Sequence, residues 1–449
     1  MRKRDLLGYG VASVADSAPY NFATIYLILF WTTVVGLSPE RAGTISSIII
    51  LADGFGGVLL GYISDNTKSK YGRRRPYLLA SVAPLVLGLM FLFCKVPAGE
   101  AVQTAFYIIV GFMFWLGFTM YYTPYTALGA ELTDDYNERS ILRTYARLFG
   151  IGGNFIAMVV PLVVVQFLVG HGFSEGSSWF TMATGLAVIS GAGILITWKS
   201  TKGKERPAEH IEDKISLYKL AAEYIKILKL KPFKYMIAVI AFFIIGNTFY
   251  NSSMVFFARY SLGLGDEVTS SIFLISIIAN LVYTPIMGVG AVKFGKKNVL
   301  GASMLISGIG GVAFFIIGIR SYLGMAVYAC IFSVAYTCFW QLINAIMYDI
   351  SEVADYEHGK RMEGSIASVY GLVFTIFTSI ATQVFGWVLK LEFFSGAFLL
   401  IPGVLLIAAA IAQFIYPINE KTFNLLKQAL VDKKAGNPVN LDGLNRIIL

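Results

Sequence analysis

The chain has 449 residues, 56% of them hydrophobic and only 14% charged, with a mean hydropathy of +0.68. Soluble domains carry about 25% charged residues, so the composition excludes a soluble globular protein and points to a chain that crosses a bilayer many times. The formal charge of +9 at pH 7 does not indicate a nucleic-acid binder, because Lys and Arg crowd alternate loops in the manner that sets membrane orientation.

The first residues, "MRKRDLLGYG", are basic but lead straight into a full-length apolar span without a small-residue cleavage site, so no removable signal is expected. About twelve apolar stretches reach the roughly 20 residues that a span needs. They centre near Ile28, Ile50, Val86, Phe114, Val160, Ala187, Phe243, Ile277, Gly308, Val334, Thr378 and Leu405. The loops expected on the inside hold Arg2, Lys3 and Arg4, then Lys68, Lys70 and Arg73 to Arg75, then Arg139 and Arg143, then Lys293, Lys296 and Lys297, then Lys360 and Arg361. Outer loops carry only scattered charges such as Lys95, Arg320 and Lys390. This pattern places both termini in the cytoplasm of a multi-pass cell-membrane protein. The cysteines, Cys94, Cys330 and Cys338, are odd in number, lack metal-ligand spacing and read as small packing residues.

One long internal polar segment, 199–234, separates two six-span halves, 1–198 and 235–417, and a polar tail, expected as a frayed cytoplasmic helix, covers 418–449. Within the segment, Leu217, Leu220, Ala221, Tyr224, Ile225 and Leu228 recur at helical spacing among lysines. Two readings stand: a helix lying on the anionic inner leaflet, or a solvated linker with helical content. The halves share a faint repeat, "YGRRRPYLLAS" in the first and "FGKKNVLGAS" in the second, as transporters built from repeated halves do.

Two other function classes fit poorly. An embedded enzyme needs a nucleophile with a base, or a metal cluster, at membrane depth, yet His171, His210 and His358 all fall in expected loops. A receptor would be expected to carry an extra soluble output domain, and the sequence shows none.

"GYISD", ending at Asp65, is followed after a short gap by Gly72, Arg73, Arg74 and Arg75. This resembles the loop between the second and third helices of major facilitator transporters, where an acid at one helix end and arginines at the next form charge pairs that break or slide as the bundle rocks. A positive-inside anchor is the other reading of the arginines. Three further stretches narrow the resemblance: "GYGVASVADSAPYNF", "YYTPYTALGAELTDDYNERSILRTYARLFG" and "YDISEVADYEHGKRMEG". Together they look like the glycoside, pentoside and hexuronide cation symporter family, of which melibiose permease is the best-known member. The resemblance covers essentially the whole chain. It implies an all-α major facilitator fold, twelve transmembrane helices in two pseudo-repeated six-helix bundles, moving a sugar or glycoside by alternating access with a coupling cation.

Melibiose-type members carry two aspartates four positions apart on the second span, with an asparagine just before the second. Asp53 matches the first, but Gly56 and Gly57 occupy the other two places. A spacing of four keeps both positions on one helix face, so half of the acidic pair is missing from one spot. Thr119 falls at the matching position of the fourth span. Sodium wants several hard oxygens, whereas a proton needs only one acid, so a proton is the expected coupling ion; an uncoupled facilitator, a sodium symporter or a carrier of a non-sugar substrate are the alternatives, and no organic cofactor or structural metal is expected. Gly57 with Gly61 also makes a face of small residues that lets another helix come close.

Asp16 shares the first span with Ser13, Ser17, Tyr20 and Asn21. Ser17 holds the place of the family's sugar-binding aspartate, with Asp16 one residue earlier and about 100 degrees around the helix. Substrate or proton binding and interhelical pairing both remain open for it. Tyr121, Tyr122 and Tyr125 flank Pro124 and offer aromatic faces for sugar rings, or plain packing. At Tyr122 and Thr126 melibiose-type members have Asp and Trp, which counts against galactoside recognition of that kind. Arg147 aligns with an arginine near the family's sugar site, or is an end anchor. Trp340, Gln341 and Asn344 form an aromatic and amide cluster on the tenth span, and Asn247 and Asn251 do the same on the seventh. The family's eleventh-span lysine falls at Thr375. A small-molecule sugar and membrane lipid are the expected partners, nucleic acid is not, and a monomer is expected.

Overall fold

Apolar runs in a bilayer have no water to bond their backbone, so each must satisfy its own N–H and C=O groups as a helix. The computed structural model describes residues 3–65, 67, 69, 74–132, 136–203, 217–359, 362–390, 394–435, 444 and 447, and their regular structure is entirely helical. In chain order the helices are α1 (Lys3–Gly10), α2 (Ala12–Phe30), α3 (Pro39–Asp65), α4 (Arg75–Leu92), α5 (Glu100–Glu131), α6 (Tyr136–Met158), α7 (Val160–Gly170) and α8 (Glu175–Ser200). They continue as α9 (Leu217–Lys229), α10 (Lys231–Phe256), α11 (Asp266–Phe294), α12 (Lys296–Ile317), α13 (Tyr322–His358), α14 (Glu363–Val388), α15 (Phe394–Ile415) and α16 (Glu420–Ala435). Short π turns, Trp31–Val35 and Phe257–Ser261, extend α2 and α10. Among the described residues twelve segments are long and apolar enough to cross a membrane, the first from Lys3 to Val35 and the last from Phe398 to Ile415. The fold is that of an all-α, multi-pass membrane protein.

Local signals set several helix ends. Ser174 accepts the Ser177 N–H at 3.2 Å before α8, and Ser321 accepts the Gly324 N–H at 3.3 Å before α13, each satisfying an orphan donor of a first turn. Gly359 closes α13 with φ 67° and bonds back to Asp355, the left-handed conformation that glycine adopts without strain.

The chain divides into two compact units: residues 1–214 with 251–274 and 382–394, and residues 215–250 with 275–381 and 395–449. In the first unit, α4 and α5 are in backbone contact. A Cβ at Gly117 would lie 2.3 Å from the Leu85 nitrogen, and one at Gly88 would lie 2.5 Å from the Phe114 Cα. Small residues permit this approach, which is what holds helices together where the solvent is hydrocarbon. Arg75 at the start of α4 is buried and donates to the Trp198 carbonyl of α8 at 3.1 and 2.8 Å.

In the second unit, α12 packs on α13 through Ser307, whose hydroxyl donates to the Ile331 carbonyl at 2.6 Å and accepts the Ala335 N–H at 3.1 Å. Phe243 of α10 stacks on Phe339 of α13 with centroids 3.7 Å apart. The faint repeat has a physical counterpart inside each unit. Ser81 donates to Leu78 and Ser303 donates to Leu300, both at 2.8 Å, and both leucines are fully buried. The tail differs from the frayed helix expected: α16 packs on α13, burying Leu426 and Leu430, and Lys433 donates to the Tyr356 carbonyl. Leu426 and Leu430, four residues apart, supply an apolar stripe that a solvated helix would leave in water.

Candidate functional site

The polar interior of the first unit is built by α2, α3, α5 and α6. Thr119 of α5 donates its hydroxyl to the Asp53 carboxylate of α3, and this is the one hydrogen bond of Asp53 among the described residues. One turn further along α3, a Cβ at Gly57 would meet Thr119 Cγ2 at 3.6 Å, an ordinary contact, and a Cβ at Gly56 would meet nothing within 4 Å. Gly61 behaves likewise, with Thr123 Cγ2 at 3.7 Å. The close helix approach expected of Gly57 and Gly61 is therefore not present at these glycines; it occurs at Gly88 and Gly117. Glycine at 57 leaves room for a side chain beside Asp53 and Thr119.

On α2, Asn21 donates to the Ser17 carbonyl at 2.9 Å and to the side-chain oxygen of Asn154 on α6 at 2.8 Å. Asp16 is half-buried and forms no hydrogen bond or ion pair among the described residues; Tyr121 and Tyr125 are its electrostatic neighbours. Among the described residues Asp16 has no partner for interhelical pairing, one of the two roles open to it. Tyr20 packs edge-on to Trp115 at 5.6 Å and against Phe118 at 5.7 Å. Phe118 stacks on Tyr122, with centroids 5.8 Å apart and planes within 8°.

The three tyrosines separate by environment. Tyr121 is fully buried and donates to the Ala12 carbonyl. Tyr125 is 3% exposed, donates to the Tyr9 carbonyl at 3.1 Å and bonds Ser13 Oγ at 2.7 Å. Tyr9 stacks on Tyr125 at 4.6 Å, and Tyr121 stacks on Tyr125 at 5.2 Å. Those two rings tie α5 to α1 and α2 and have no free hydroxyl for a sugar, whereas Tyr122 is 42% exposed. Arg147 on α6 is exposed and forms no ion pair with Asp16 or Asp53.

In the second unit, Trp340 of α13 meets Phe339 at 5.6 Å and Phe374 of α14 at 5.7 Å. Its indole Nε1 and the neighbouring Gln341 Oε1 are buried without a hydrogen-bond partner. Gln341 lies over Gly288 of α11, where a Cβ would come 3.1 Å from its Nε2. Thr337, one turn before, donates to Asn280 of α11 at 2.8 Å. Asn344 is exposed, Asn247 and Asn251 each have a partner, and Thr375 donates to its own helix at Gly371. Of the expected gating charges, the side chain of Asp65 and all of Arg73 lie outside the described residues, while Arg74 and Arg75 are buried. Asn154 and Asn280 were missed in the sequence, although an amide inside an apolar run is itself the signal. Among the described residues no group of His, Cys, Asp and Glu could hold a metal ion.

Comparison with known proteins agrees with this arrangement of helices. An uncharacterized symporter of Bacillus subtilis, YnaJ, is 25% identical over 95% of this chain and 94% of its own. A glucuronide carrier protein homolog of Escherichia coli is 23% identical over 96% of each chain. An isoprimeverose transporter of Lactiplantibacillus pentosus is 24% identical over 80% of this chain and 74% of its own. Among solved structures, the inward-open xylose transporter XylE of Escherichia coli superposes with a TM-score of 0.67 at 14% identity, over 94% of this chain and 98% of its own. A D-xylose–proton symporter superposes with a TM-score of 0.64 at 15% identity, over 92% of this chain and 96% of its own. The family described as MFS/sugar transport protein matches residues 8–420, and with twelve candidate spans among the described residues the chain belongs to that family of secondary transporters of the major facilitator superfamily.

Proposed function

We propose that this transporter carries a neutral sugar or glycoside across a bacterial inner membrane, with both termini cytoplasmic, and that a proton exchanging at Asp53 drives it. The observation that carries the coupling is the setting of Asp53 among the described residues: one hydroxyl donor, Thr119, and glycine, with no second carboxylate, at 56 and 57. A single carboxylate with one donor suits a proton, which needs one acid, better than sodium, which needs a shell of oxygens. The relatives include a glucuronide carrier protein homolog and an isoprimeverose transporter, which supports a sugar. Charge favours a neutral one. Asp16 has no cationic partner among the described residues, and two like charges 4 Å apart repel by about 4 kcal/mol at an effective dielectric constant of 20. In the second unit, Trp340 Nε1 and Gln341 Oε1 supply a donor and an acceptor beside an aromatic ring, the contacts that a sugar ring uses.

The test is uptake into proteoliposomes under an imposed pH gradient or an imposed sodium gradient, for wild type and Asp53→Asn, with neutral pentosides and a glucuronide as competitors. Accumulation should follow the proton gradient, ignore sodium and be inhibited by the neutral pentosides. Asp53→Asn should exchange sugar without concentrating it. Sodium-driven accumulation, or full concentrative uptake by Asp53→Asn, defeats the coupling; stronger competition by the glucuronide defeats the neutral substrate.

A further inference from the structure

Helix α9 ends at Lys229 and the span α10 begins at Lys231, so only Leu230 separates them. That tether holds α9 at the membrane boundary. At 100° per residue its side chains fall into three arcs. The first faces protein: Ile227 and Leu230 are 0% and 1% exposed, and Glu223 accepts the Ser365 hydroxyl of α14 at 2.9 Å. On the other side of the helix, Tyr218, Ile225 and Leu228 are 82%, 53% and 40% exposed. Lys219, Lys226 and Lys229 form the third arc, beside that apolar one, and all three are exposed.

A helix bonded to protein along one face has no need of large apolar residues on the other, and in water they would oppose solubility. Beside a bilayer they have a use. An apolar arc flanked by lysines is the pattern of a helix that sinks its apolar side to the headgroup boundary and sets its cations among anionic headgroups. We infer that α9 is a lipid-binding helix, and that its occupant is an anionic phospholipid surface on the side of the membrane where it lies. The basic arc selects this occupant over zwitterionic lipid, since each lysine near an anionic surface contributes about 1 kcal/mol, roughly a fivefold preference. The one-residue link to a span selects it over a soluble partner. Because Glu223 fastens α9 to α14, lipid held on the outer arcs bears on a helix of the transport unit and not on a free linker.

The full chain would be reconstituted in vesicles of phosphatidylcholine alone and in vesicles containing phosphatidylglycerol. Both would be treated with a membrane-permeant amine-acylating reagent, and modification at Lys219, Lys226 and Lys229 would be read by peptide mass spectrometry against Lys421, which is exposed on α16. Phosphatidylglycerol should lower the reactivity of the three lysines relative to Lys421 by about fivefold. At about 1 M salt, where screening acts within about 3 Å, the protection should vanish. Joint Ile225→Asp and Leu228→Asp substitution should abolish it too; both positions are exposed, so the fold survives, and retained uptake verifies that. Equal reactivity in the two vesicle types at low salt overturns the inference. So does protection that is present without phosphatidylglycerol and rises with protein concentration, which would identify a second copy as the occupant.

Discussion

Placing a carboxylate at position 57 separates a lapsed cation site from a packing constraint. In Gly57→Asp the new Cβ would meet only Thr119 Cγ2, at 3.6 Å, so no backbone has to move, and the helix gains a few tenths of a kcal/mol from loss of glycine. Residues four apart on a helix have Cβ atoms about 5–6 Å apart. Two carboxylates at about 6 Å repel by roughly 3 kcal/mol at an effective dielectric constant of 20, and a cation between them relieves that repulsion. Relief of 3 kcal/mol corresponds to about a hundredfold gain in cation affinity. Thr119 would be the third oxygen of the shell.

The assay is sugar uptake into proteoliposomes at fixed pH across a series of sodium concentrations, with Gly57→Asn as the uncharged control of nearly the same shape. Gly57→Asp should acquire sodium-stimulated uptake with half-saturation about a hundredfold below any sodium response of wild type, while Gly57→Asn stays indifferent. A Gly57→Asp protein that is folded, binds sugar and ignores sodium would refute the reasoning, because the space, the charge and the hydroxyl would all be present without the ion. An equal response from Gly57→Asn would show that side-chain shape, not charge, had changed the transporter.

The glycines can be contrasted in one melting series: Gly117→Ala should destabilise by about 1–3 kcal/mol, since its methyl would lie 2.3 Å from the Leu85 backbone nitrogen, whereas Gly57→Ala should be neutral or stabilising. Tyr121→Phe leaves the buried Ala12 carbonyl without its donor; thermal stability should fall by about 1–2 kcal/mol while the sugar dissociation constant, from equilibrium binding, stays within about twofold, the mark of a helix tie. Trp340→Phe keeps most of the ring and removes an indole N–H that has no protein partner, so sugar affinity should weaken about five- to tenfold with an unchanged melting temperature. An unchanged affinity would take Trp340 out of the site.

The architecture is legible in the sequence because the bilayer imposes it: span length and helical backbone follow from thickness and dryness alone. The site is legible only by residue type. In "YYTPY" the spacing of four between Tyr121 and Tyr125 already puts them on one face, with Tyr122 turned about 100° away. What the letters omit is the object facing each side. Tyr9, Ala12 and Ser13 occupy the face of Tyr121 and Tyr125, so two of the three tyrosines are braces between helices, while Tyr122 stacks on Phe118 and is the exposed ring of the three. The same holds for glycine. A small-residue spacing at 57 and 61 reads like a packing face, yet the neighbour of each is a threonine methyl at ordinary distance, while Gly88 on α4 and Gly117 on α5 each touch the backbone of the other helix. Packing therefore does not require glycine at 57: a Cβ has room there, and glycine leaves Asp53 without a second acid four residues on, the arrangement on which proton coupling is proposed.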